Sequence, residues 1–227
     1  MYVTKSEKEK QISQNDIITE IQNHGVDTTD VNGGMCFTLT LHLLKKYLKN
    51  LATAKKADIY TIYQKVLDHC RNDGAVYGEK LVSEFKHYRN VRNTAPGEKE
   101  RIVDECVAFV GELTPVQIKI NNPQSAANEI AACIAGGDCA ILVNMEGPDN
   151  YGHTIAFIRE EDTLYYLNVS EKVEKTELHK TNAAKAITLE AYITTVISGR
   201  NKPYGITNVI YSPLEKREGA LDCCILI

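Results

Sequence analysis

Residues 152–169 read GHTIAFIREEDTLYYLNV. Two apolar runs, Thr154–Ile158 and Leu164–Val169, flank the polar triplet Glu160-Glu161-Asp162. Short runs rich in β-branched and aromatic residues, bounded by turn formers, are strands, and a tight polar turn between two of them makes an antiparallel hairpin. Just upstream, Cys139–Val143 (CAILV) follows Gly136-Gly137-Asp138 and reads as a buried strand. Downstream, residues 206–211 (ITNVIY) supply a last strand.

Towards the N-terminus the apolar period changes to that of a helix. Ser13 precedes Ile17, Ile18 and Ile21, and Gly25 follows His24, which predicts a capped helix over 14–24. A loop of turn formers, VDTTDVNGG, leads into residues 36–49, where Leu41, Leu44 and Leu48 mark a well-buried helix. Further helices are expected near 55–70, 78–91, 98–112, 125–135 and 184–198, with a surface loop from Asn90 to Gly97. The plan is α+β: an N-terminal helical half, then a small antiparallel β-sheet half. Residues 1–12 are charged and expected to be mobile, 13–213 form one domain, and 214–227 form a flexible tail.

The 227 residues carry a formal net charge of −4. A chain of this length buries roughly 70% of its unfolded surface and needs no disulfide or metal to hold a core. The acidic balance argues against a dedicated nucleic-acid binder, whose surface must be basic. No run approaches the ~18 apolar residues that span a bilayer, and the polar N-terminus lacks the apolar region of a secretory signal. The seven cysteines are odd in number and irregularly spaced, which suits a reducing compartment better than a disulfide framework. Neither a zinc pattern nor a cofactor motif is present: Cys133 and Cys139 lack CxxC or His partners. Residues 74–80 (GAVYGEK) fail the phosphate-loop spacing.

Three residues could do chemistry together. Cys36 opens the 36–49 helix directly after Gly33-Gly34-Met35, where unpaired N–H groups stabilise a thiolate. His153 follows Gly152 at the start of a strand. With the turn near 161, Asn168 lies almost opposite His153 and is placed to accept its ring N–H. A nucleophile, a base and an orienter are the parts of a thiol hydrolase. Cys70, Cys106 and Cys133 fall on apolar helix faces, His42 falls on the far side of the Cys36 helix, and His24 suits a helix C-terminus.

The elements NGGMC with the apolar helix, then GHTIAF, then YYLNVS, resemble in order and spacing the YopT-like branch of papain-like cysteine peptidases. These are effectors that bacterial pathogens inject into host cells. The resemblance covers residues 25–212. It implies a papain-like fold, with Cys36 as nucleophile, His153 as base and Asn168 as orienter, where that branch usually has Asp and other papain-like enzymes have Asn. Asn32, four residues before Cys36, is the candidate oxyanion-hole side chain beside the Cys36 N–H, since the Asp30 carboxylate would repel an oxyanion. The implied activity is cysteine-protease hydrolysis, and the same triad would serve deamidation or acyl transfer. The competing reading is a catalytically silent, lipid-anchored module in which bulky Phe37 blocks the thiol and the helices over 55–112 hold a host protein.

The sequence closes Asp222-Cys223-Cys224-Ile225-Leu226-Ile227. CILI fits a C-a-a-X signal, with Cys224 the prenyl acceptor for a host prenyltransferase and Cys223 a site for palmitoylation as the second membrane signal. The expectation is a protein secreted by a bacterium into a host cell and held on a host membrane. By analogy, its host protein substrate is a membrane-associated small GTPase.

Overall fold

The computed structural model describes residues 1–4, 9–31, 34–51, 57–94, 116–118, 123–146, 152–198 and 205–214. In chain order the elements are β1 (Tyr2–Thr4), β2 (Glu9–Gln11), α1 (Gln14–Asn23), a 3-10 turn (Thr29–Val31), α2 (Cys36–Leu51), α3 (Ile59–Thr94), β3 (Val116–Ile118), α4 (Pro123–Gly136), β4 (Cys139–Glu146), β5 (Gly152–Glu160), β6 (Thr163–Asn168), β7 (Lys172–His179), β8 (Ile187–Thr188), α5 (Leu189–Ser198) and β9 (Gly205–Pro213). The strands form one sheet in the order β3-β9-β4-β5-β6-β7-β1-β8, with β2 also paired to β7. Every pairing is antiparallel. The fold class is therefore α+β.

Strand alternation divides the core between the two faces of the sheet. On one face Leu142, Ala156, Ile158, Tyr165 and Leu167 meet α1, α2 and α3 through Ile17, Ile21, Leu39, Leu43, Tyr47 and Ile62. On the other, Ile141, Val143, Ile155, Phe157 and Tyr166 meet α4 and α5 through Ile130, Ile134, Tyr192 and Ile193. Helices thus cover both faces. The sheet, of nine strands, is not the small one expected from the apolar runs.

Local chemistry sets the helix starts. The Ser13 hydroxyl accepts the Asn15 N–H at 3.1 Å and caps α1. The Asp58 carboxylate accepts the Thr61 N–H at 2.7 Å and caps α3. Pro123 opens α4, the position where a missing N–H is harmless.

Several expectations are corrected. The first dozen residues are not simply a mobile arm: Tyr2–Thr4 and Glu9–Gln11 both pair with β7. The two helices expected at 55–70 and 78–91 are present as the two arms of α3, which meet at a kink at the non-helical Asp73 (φ −141°, ψ 43°), so only their bounds change. The second arm continues to Thr94, so residues 90–94 are helix where a loop was expected. The last helix begins at Leu189, not 184. The expected helix at 98–112 lies outside the described residues, as does the tail from 215 onward with both of its lipidation cysteines.

Gly74 and Gly78 lie in α3 just after its kink, where α1 crosses. A Cβ on Gly74 would fall 2.2 Å from Cδ2 of His24, and one on Gly78 would fall 2.6 Å from Cγ2 of Ile21. Ile21 is fully buried and branched at the contact, so it has no free end to swing away. Ala in place of Gly favours a helix by about 1 kcal/mol, whereas overpacking a close crossing costs about 1–3 kcal/mol. Gly78→Ala should therefore lower the urea midpoint, with a net loss of up to about 2 kcal/mol. An unchanged or raised midpoint would show that α1 can retreat without penalty.

Candidate active site

Cys36 is the first residue of α2 and is half-buried. The preceding carbonyl, that of Met35, accepts the Leu39 N–H at 2.9 Å, which makes Met35 the N-cap. Methionine has no oxygen with which to cap the first-turn N–H groups, so their partial positive charge is directed at the thiol. The Cys36 thiol donates to the Gly152 carbonyl at 3.8 Å. The nucleophile candidate is thus seated at the first residue of β5, one position before His153.

His153 is buried, at 5% exposure. Alternation along β5 puts it on the face of Ile155 and Phe157, opposite the face carrying Ala156 and Ile158 beneath α2. Cys36 therefore reaches this histidine's strand around its end. Asn168, fully buried at the end of β6, lies on the His153 face. The near-opposition of the two is corrected, however. The ladder joins Glu160 to Thr163 across the two-residue turn Glu161-Asp162 and ends with Ala156 opposite Leu167. Continued one step, this register sets Asn168 beside Ile155, a diagonal step from His153.

The hydrogen bonds of the Asn168 side chain close the turn after β6. Its amide donates to Tyr166 Oη at 3.2 Å and to Glu171 Oε2 at 2.8 Å, and its oxygen accepts the Ser170 N–H at 3.1 Å. That carbonyl oxygen has two lone pairs, so the Ser170 bond leaves capacity for a second donor. Ser170, Glu171 and Gln14, which touches Ser170, are the polar neighbours that sequence reading missed. No motif marks them, because their roles come from a turn and a crossing helix rather than from spacing.

The Phe37 ring packs edge-on to Tyr88 of α3, with centroids 5.5 Å apart at 83°. His42, as expected, turns away from Cys36, and its Nε2 pairs with Tyr77 Oη at 2.7 Å while Nδ1 lies 3.5 Å from Glu84. Burial works to raise the Glu84 carboxyl, but the hydrogen bond and charge of His42 outweigh it and hold the group below the usual range. His24 caps α1, and its Nε2 lies 2.9 Å from the Arg71 carbonyl. Cys70 is buried in the core, as expected, and Cys133 is partly buried. Asn32 and Cys106 lie outside the described residues. Among the described residues no cluster of three His, Cys, Asp or Glu side chains could hold a metal ion.

No family model matches the chain, and no curated protein matches it in sequence. Among solved structures, the crystal structure of the Pseudomonas avirulence protein AvrPphB is similar to it, with a TM-score of 0.49 and 13% identity over 85% of this chain and 97% of that one.

The other described thiols are poor nucleophiles. Burial, with Glu20 nearby, pushes Cys70 up to about 12, and burial, with Cys133 next, pushes Cys139 up to about 12. Burial also raises Cys133, with Glu129 adding to it. A group whose pKa is raised stays protonated until the pH climbs past it, so these thiols remain neutral through neutral pH. Limited iodoacetamide treatment between about pH 6 and 8, read by peptide mass spectrometry, should label Cys36 while Cys70 and Cys139 stay unmodified. Labelling of Cys70 or Cys139 at a rate equal to Cys36 would contradict this ordering.

Proposed function

We propose that the chain is a papain-like thiol hydrolase whose nucleophile is Cys36. The observation that carries the reading is the seat of Cys36: first residue of a buried helix with a side-chain-free cap, 3.8 Å from the carbonyl that precedes His153. The sequence resemblance to the YopT-like peptidases, over NGGMC, GHTIAF and YYLNVS, supports it independently.

In this reading the Cys36 thiol passes its proton to His153, and the thiolate attacks a substrate carbonyl carbon. The tetrahedral oxyanion is held by the Cys36 N–H and by Asn32. The bond to the leaving nitrogen breaks as the His153 imidazolium protonates it, leaving a thioester on Cys36. Water, deprotonated by His153, then attacks the thioester and releases the acid. Asn168 orients the imidazole through the lone pair that Ser170 does not use. Deamidation differs only in releasing ammonia, and acyl transfer only in replacing water with another acceptor.

The setting is part of the proposal. The CILI ending supports prenylation at Cys224 by a host enzyme, with Cys223 a palmitoyl site, and hence action by a bacterial effector at a host membrane. A membrane-associated small GTPase is the matching substrate class. In a eukaryotic cell the Cys224→Ser variant should move from the membrane to the soluble fraction, and unchanged partitioning would remove lipid anchoring from the proposal.

The chemistry is tested with a fluorogenic peptide library and iodoacetamide in parallel. Cys36→Ala should abolish turnover, and His153→Ala should reduce kcat/KM by about 10²–10⁴. At about pH 5–6, Cys36 alkylation should be fast in the wild type and slow in His153→Ala. If Cys36 alkylates no faster in the wild type than in His153→Ala, no thiolate–imidazolium pair exists and the hydrolase reading is lost.

A further inference from the structure

We propose that Gln14 is a positioning residue for Cys36, joining the loop before the nucleophile to the turn that holds Asn168; this rests on the thiol-hydrolase reading above. Gln14 is the half-buried first residue of α1. Its Oε1 accepts the Met35 N–H at 2.8 Å, its Nε2 donates to Ser170 Oγ at 3.1 Å, and its own N–H donates to the Val169 carbonyl at 2.6 Å. The orientation of the amide follows from its partners: a backbone N–H can only donate, so Oε1 must face Met35 and Nε2 must face Ser170.

Met35 is the residue immediately before Cys36, and Ser170 donates its N–H to Asn168 Oδ1. One planar amide therefore spans from the nucleophile's helix cap to the orienter's turn. Within a helix, the cap N–H is commonly held by a Glu or Gln at the third helical position, the reciprocal half of a capping box. In α2 that position is Thr38, which cannot reach back as those longer side chains do. Gln14 supplies the missing acceptor from another helix. By fixing the peptide between Gly34 and Met35, it sets the direction of the first-turn N–H groups and of the Cys36 side chain.

Gly34 fits the same arrangement. Its φ is +98°, in the left-handed region, and a Cβ there would lie 3.0 Å from Gln14 Nε2. The loop can thus approach the amide only as glycine. Nothing in the proposed chemistry uses Gln14 directly, since its carbonyl and one amide hydrogen are engaged with Met35 and Ser170.

The test is the pH profile of iodoacetamide modification of Cys36. Gln14→Met keeps length and volume while removing both side-chain hydrogen bonds. It should raise the pH of half-maximal labelling by about one unit, so that labelling near pH 6 slows about tenfold. A merely structural role would lower the melting temperature and leave that midpoint in place. Ser170→Ala, on a turn, should move the midpoint in the same direction by a smaller amount, and Ser170→Thr, which restores the hydroxyl, should return it. If Gln14→Met does not fold, the Ser170 pair decides. Wild-type Cys36 with an acid-shifted profile that neither Gln14→Met nor Ser170→Ala moves would overturn the role of Gln14 alone. A wild-type profile at the ordinary thiol pH would overturn the hydrolase reading and this proposal together.

Discussion

The seat of α2 on β5 is the contact on which the rest of the molecule depends. The two elements run in the same direction and are tied at both ends. At one end the Cys36 thiol reaches the Gly152 carbonyl, and at the other Tyr47 Oη donates to Glu160 Oε2 at 3.0 Å. Between them Leu39 and Leu43 pack on the face that carries Ala156 and Ile158. Because Ala156 adds so little bulk, the helix can lie close to the strand over its whole length. A tie at only one end would leave α2 free to pivot. With both, the N-terminus of the helix can only be at the start of β5, which brings Cys36 to the strand end that carries His153.

The parts of the fold legible in the sequence are those where burial and apolarity coincide. Cys139–Val143, Thr154–Ile158 and Leu164–Val169 are buried on both faces of a covered sheet, so they stand out as unbroken apolar runs. Strand β7 was missed for the opposite reason. In KVEKTELH the inward positions include Glu174 and Thr176, which are buried yet polar. Glu174 is tolerated there because Tyr192 Oη and Lys172 Nζ both donate to it, at 3.1 and 2.8 Å. Strands β1 and β2 are three residues each, too short to show the alternation that marks a strand, even though Tyr2-Val3-Thr4 is made of strand formers. They exist because β7 offers them a ladder, a fact of tertiary structure that local sequence cannot encode.

The candidate site divides along the same line. Cys36 and His153 were visible because each sits at the boundary of a strongly patterned element. The His153–Asn168 relation was misjudged by two residues because register depends on how many residues the turn consumes, and the left-handed Glu161 (φ 56°) closes it with only Glu161 and Asp162 outside the ladder. Gln14 carried no visible signal at all. Its partners, Met35 and Ser170, are remote in sequence, and only the crossing of α1 over both segments brings them to one amide.

The surroundings of Asn168 give a physical reason for amide rather than carboxylate at that position. The side chain is fully buried, and its Nδ2 donates both to Tyr166 Oη and to the Glu171 carboxylate. An ionised Asp would place a second, fully buried negative charge within hydrogen-bond distance of Glu171. It would also turn one donated hydrogen bond into a repulsion. Protonating that Asp would relieve the repulsion, but the proton would then be spent on Glu171, and a protonated acid is a weaker acceptor for an imidazolium. Asn avoids the conflict by splitting its functions: the nitrogen satisfies Tyr166 and Glu171, and the oxygen faces the Ser170 N–H with a lone pair in reserve. Asn at this position therefore keeps an acceptor lone pair on its oxygen without setting a second charge beside the Glu171 carboxylate.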